Sequence, residues 1–236
     1  MSNEFIILVG TAATIGFIHT ILGPDHYVPF IVLSKVRKWS KRKTTLITLF
    51  CGIGHVLSSI ILGFVGIALG VAVLKLESIE SFRGDLSTWF LIIFGFTYFA
   101  WGLRQAFLRK SHEHFHQHQT GNAHAHSHKH IGDHVHIHNT EAKSLTMWVL
   151  FIIFVLGPCE PLIPLVMYPA ARGNMTQVVL VALSFGLLTI ATMLTVVLIS
   201  FYGLSKLPFH KFEKYSHALA GLVVFLCGIA VKFLGL

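Results

Sequence analysis

Six side chains in this sequence sit where an apolar chain tolerates them poorly: His19, Asp25, His26 and His55 in the first half, Cys159 and Glu160 in the second. Imidazole and carboxylate suit borderline divalent metals such as nickel, cobalt and zinc, and a thiol adds a softer donor. Two imidazoles and a carboxylate close together in an apolar stretch are costly unless something neutralises them, and a divalent cation would. His55 lies midway along a further apolar run, Cys51-Gly-Ile-Gly-His-Val-Leu-Ser-Ser59, where no interface can solvate it. A hydrogen bond between helices would account for His19 alone, and a backbone donor for Glu160 alone. Taken together, the residues point to metal handling.

The elements that position these groups are two broken helices. Leu22-Gly-Pro-Asp-His26 is followed by Pro29, and Leu156-Gly-Pro-Cys-Glu160 by Pro161 and Pro164, at an offset of 134 residues. The same offset carries Gly52 onto Gly186 and His55 onto Thr189, while Gly95 and Gly102 match Gly221 and Gly228 at an offset of 126. Proline removes a backbone donor and breaks a helix. An unwound backbone at membrane depth is tolerated only when buried in protein or lining a watery cavity. A duplicated unit with ionisable groups at its broken helices is a transporter pattern.

Composition fixes the compartment. Hydrophobic residues make up 54% of 236 residues and charged residues 12%, with mean hydropathy +0.71; a soluble domain carries about 25% charge. Six segments are long enough to cross a bilayer: about 4–23, 46–74, 88–107, 146–167, 176–203 and 217–236. The first has no basic region before it and no small-residue cleavage site after it, which reads as a retained helix. The net charge of +8 follows from topology and not from a nucleic-acid partner. With the N-terminus outside, fourteen of the 18 Lys and Arg residues fall in inner loops, and only Lys75, Arg83, Arg172 and Lys232 at outer ends. The 76–88 stretch then reads as an outer loop carrying Glu77, Glu80 and Asp85. Three crossings per half invert the second copy. The three cysteines, Cys51, Cys159 and Cys227, show no paired spacing and offer no disulfide framework.

Between the halves lies a histidine-rich loop: His112, His114, His116, His118, His124, His126, His128, His130, His134, His136 and His138. It has no apolar periodicity, so it reads as a disordered cytoplasmic segment. Its imidazoles would buffer many borderline metals.

His19-x5-Asp25-His26 resembles the His-x4-Asp-His signature of the nickel/cobalt transporter superfamily, and Gly54-His55 with Ser58 resembles that family's Gly-His-Ser element. The Pro24-Asp25-His26 wording is most similar to its urease-accessory-type and sulfite-exporter-like members. The resemblance implies metal passage by His19, Asp25, His26 and His55. This chain departs from the signature by one residue, which turns His19 by about 100° on a helix. Gly157-Pro158-Cys159 instead resembles the turns of disulfide-bond-D-type electron transporters, which carry one cysteine per repeat. Here the matching position is Asp25, and a lone thiol cannot close an internal disulfide.

The sequence therefore predicts an all-α integral membrane protein of six transmembrane helices in two inverted three-helix repeats, 1–110 and 145–236, with the loop 111–144 between them. Helices one and four are broken. The expected function is translocation of a divalent transition metal (nickel, cobalt or zinc) as substrate, coupled to an ion gradient, with no organic cofactor and no enzymatic reaction. The metal residues would be His19, Asp25, His26, His55, Cys159 and Glu160. Lipid and metal ions are the expected partners, with a metal chaperone or a second copy of the chain as candidates. A thiol- or sulfur-handling membrane oxidoreductase using Cys159, or a sulfur-oxyanion exporter, is the alternative.

Overall fold

The computed structural model describes residues 3–108, 113–117, 123–127, 140–205 and 214–235. Eight α-helices follow in order: α1 (Asn3–Leu22), α2 (Val28–Val36), α3 (Lys41–Ala68), α4 (Val73–Leu108), α5 (Thr140–Leu156), α6 (Leu162–Ala171), α7 (Met175–Ser205) and α8 (Ser216–Leu234). Five of them, α1, α3, α4, α7 and α8, are long and apolar enough to span a bilayer. The fourth expected span is instead two short apolar helices, α5 and α6, separated at Gly157–Pro161. Large apolar side chains face outward along every long helix, for example Ile7, Ile61, Phe96, Leu187 and Phe233. An apolar exterior over buried polar groups is the inverse of a soluble domain. The protein is a multi-pass integral membrane protein in contact with lipid.

Local sequence explains the boundaries. Ser40 caps α3, its Oγ accepting from Lys43 N–H at 3.2 Å. Gly70, at φ +62°, ends α3 in the left-handed turn, with Val71 N–H returning to Gly66 O at 2.9 Å. Gly173 repeats the device after α6, at φ +70°. Two expectations are corrected here. Residues 76–88 are not an outer loop: they belong to the 36-residue α4, because Leu76, Glu80, Gly84, Ser87 and Leu91 recur at helical spacing and are buried. Nor is all of the histidine segment structureless. Strands β1 (Glu113–Gln117) and β2 (Ala123–Ser127) pair antiparallel, with His114 opposite His126 and His116 opposite His124. Alternation of residues is the strand period. His112, His118, His128, His130, His134, His136 and His138 lie outside the described residues.

Packing joins the two halves. Helix α4 runs along α8 so closely that a Cβ on Gly95 would strike the Phe225 backbone, and one on Gly221 the Phe99 backbone. Gly102 meets Ala218 in the same way, and Gly228 meets Ile92. Each contact becomes its partner when the 126-residue offset is applied. On α3 and α7 the 134-residue offset does likewise: Gly52 faces Ile190, and Gly186 faces Val56. Two principal core clusters result. One surrounds Phe30, Leu33, Leu150, Phe154 and Met193. The other surrounds Ala12, Val56, Leu162, Val178 and Phe185.

Candidate functional site at the two helix breaks

The first break forms where α1 meets Gly23-Pro24. Gly23 N–H still bonds His19 O at 3.0 Å, and then Pro24–His26 make one 3₁₀ turn. The turn brings His26 back toward α1. Its ring centroid lies 4.8 Å from that of His19 and 4.9 Å from that of His55, both edge-on. The changed backbone path offsets the one-residue departure in spacing, so His19 joins the group. Ligand atoms of His19, His26 and His55 all lie within 4.8 Å of one another.

Hydrogen bonds orient two of these rings. His26 Nδ1 faces Gly23 O at 3.0 Å and Asp25 Oδ1 at 3.1 Å, both acceptors, so it donates. His55 Nδ1 donates to Phe154 O at 3.1 Å. With both Nδ1 atoms committed, the two Nε2 atoms face each other 3.2 Å apart. His19 Nε2 is buried with no hydrogen-bond partner. Metal-ligating histidines are held in this way, by a carboxylate or carbonyl behind the ring. His26 and His55 are each 3% exposed.

At the second break, Gly157 N–H still bonds Ile153 O at 2.9 Å and Phe154 O at 3.1 Å, Pro158 brings no N–H, and side chains from α3 and α4 add bonds to the last carbonyls of α5. Ser87 Oγ donates to Ile153 O at 2.8 Å, His55 Nδ1 takes Phe154 O, and Arg83 Nη2 donates to Val155 O at 2.8 Å. A cation at a helix C-terminus is favoured by the backbone dipole. Arg83 also donates to Glu80 Oε1 at 2.6 Å and to Ser58 Oγ at 2.7 Å. Glu80 is fully buried and accepts from Ser59 Oγ at 3.2 Å; that oxygen in turn accepts from Cys159 N–H at 3.1 Å.

The breaks meet at a small cavity of about 20 Å³, lined by Asp25, His26, His55, Ser87, Phe154 and Gly157 among others. That is room for about one water molecule. Asp25 stands behind His26 and not inside the imidazole group. Cys159 is buried within the α6–α7 core cluster, and Glu160 is exposed beside Gly84 and Pro158. The break residue that approaches the imidazoles is thus Gly157, which abuts the His55 ring. Sequence reasoning missed Ser59, Glu80, Arg83 and Ser87. The signal was there: Glu80 and Arg83 are three apart, the spacing of a helical ion pair.

Residues 28–230 match the family described as the cytochrome C biogenesis protein transmembrane region. This chain belongs to that family. No curated protein and no solved structure matches it. The nickel/cobalt transporter resemblance is therefore corrected: it rested on a few residues of the first three helices, whereas the cytochrome c biogenesis match extends from α2 into α8. The match takes in His55, Cys159 and Glu160 but begins after His19, Asp25 and His26. As a member of that family, the chain fits membrane thiol or sulfur handling better than metal translocation.

Proposed function

We propose that this chain serves a membrane thiol- or sulfur-handling function of the cytochrome c biogenesis type, with Cys159 as the reacting group. The observation that carries the reading is the family match across 28–230, which encloses a cysteine placed directly at a helix break. The three cysteines are free, and they fall in three separate core clusters. Cys159 therefore exchanges with an external partner. Its thiolate attacks a partner disulfide, forming a mixed disulfide and releasing one partner thiolate; a second thiolate then displaces Cys159 and completes the transfer. The glycine contacts that interchange under the two offsets support a pair of inverted repeats, whose breaks would flex to admit that partner. The test is Cys159→Ser in the full chain. A thiol-dependent activity should vanish, together with any mixed-disulfide adduct on a non-reducing gel. Full activity in Cys159→Ser would reject the reading.

A second reading is favoured by the imidazole group: binding of a borderline transition metal as cargo at His19, His26 and His55. Three nitrogens converge, one is buried without a partner, and two rings are held from behind. Nickel, cobalt and zinc all suit such donors.

A further inference from the structure

We infer that Arg83, Glu80 and Ser59 form a polar staple across the second break, and that they are positioning residues which set how far the Cys159 thiol can be reached. The inference rests on the thiol reading for its functional meaning, and on geometry alone for its existence.

The bonds close a loop around the hinge. From Val155 O the path runs through the Arg83 guanidinium to Glu80, on to Ser59 Oγ, and back to the chain at Cys159 N–H. Gly157 and Pro158 lie between the two attachment points, so the flexible part of the chain is bridged by a buried ion pair. Helix packing supports the same span, because Gly84, one residue beyond Arg83, leaves only enough space for the Pro158 ring. A second arm reaches the histidines. Arg83 also holds Ser58, whose Oγ donates to His55 O at 2.8 Å.

Among the described residues, no ion pair from another helix bridges the first break. Its backbone bonds are Gly23 N–H to His19 O, His26 N–H to Gly23 O and Tyr27 N–H to Pro24 O, Tyr27 Oη donates to Ile21 O, and its link to α3 is the imidazole contact of His26 Nε2 with His55 Nε2 at 3.2 Å. Removing one partner of a buried pair leaves an uncompensated charge, which is strongly destabilising locally. With the staple cut, the 157–159 segment opens more often and exposes the thiol.

The experiment is site-resolved alkylation of the full chain in membranes, with Cys51 and Cys227 as internal references read by mass spectrometry in the same sample. Arg83→Gln and Ser59→Ala should each raise the Cys159 rate about tenfold, the factor that corresponds to about 1.4 kcal/mol of opening. The reference cysteines should not change. Ser59→Thr, which keeps the hydroxyl, should behave as the native chain does. The double variant should add little to either single one, since both cut the same loop. If Arg83→Gln fails to reach the membrane, the Ser59 pair decides. An unchanged Cys159 rate, or an equal rise at all three cysteines, would overturn the staple. Should Cys159→Ser retain full activity while labelling responds as expected, the staple stands and the thiol reading falls. The converse result separates them equally.

Discussion

His26 shows how a single side chain can serve two structures at once. Its Nδ1 ties the 3₁₀ turn to Gly23 and Asp25, and its Nε2 meets His55 from another helix. Replacing it with alanine removes a local tether and an interhelical contact together. If the imidazole group takes a metal, His26→Ala and His55→Ala should abolish the site. His19→Ala should cost as much, because the break returns His19 to the group. Cobalt titration followed by visible absorption, on chains lacking residues 112–138, would measure this; a band that persists in all three variants would reject the site. Asp25→Asn tests the support behind the ring, with an expected loss of metal affinity of about 10–100-fold, and an unchanged affinity would show that Gly23 O alone suffices. These residue roles were only partly legible beforehand. Imidazoles in an apolar run are visible by type, but the orientation of His26 depends on a turn that spacing rules assign wrongly when the helix is assumed to continue.

At the level of elements, the breaks and long helices could be read from Gly-Pro pairs and apolar length, whereas the extent of α4 could not. Charged residues at 77, 80, 83 and 85 look like a loop because charge ordinarily marks water. Here Glu80 and Arg83 neutralise each other and Arg83 donates to a terminal carbonyl of another helix, Val155 O, so the segment stays helical and partly buried. The six-crossing count was blurred for a related reason: a proline break inside an apolar run leaves hydropathy intact while dividing the helix into α5 and α6. The α4–α8 seam offers a direct test of the repeat. Gly95→Val and Gly221→Val occupy positions exchanged by the 126-residue offset, and each would push a side chain onto facing backbone. Overpacking of this kind costs about 1–3 kcal/mol. Thermal unfolding in detergent should show similar drops in midpoint for the two variants. A large loss for one with none for the other would argue against the pseudo-symmetric arrangement.

At the scale of the whole molecule, the histidine segment lies between α4 and α5 in the chain. Deleting residues 112–138 should leave the membrane fold and the Cys159 chemistry in place. It should lower the number of metal ions bound per chain, and any defect should appear only when metal is scarce, since a tethered chelator acts through local concentration. Loss of function at every metal level would make the segment part of the working path. The cavity at the meeting of the breaks imposes a different kind of limit. A space for a single water molecule cannot hold an ion with its hydration shell, nor a peptide, nor a folded partner. A metal resting there must arrive stripped, with imidazole nitrogens standing in for the water it has shed. Cys159 lies outside that cavity and is fully buried, so a protein disulfide seeking it must likewise be met by a bundle that has parted. On either reading the bundle must open before cargo or partner can enter, so opening is a required step of the proposed cycle.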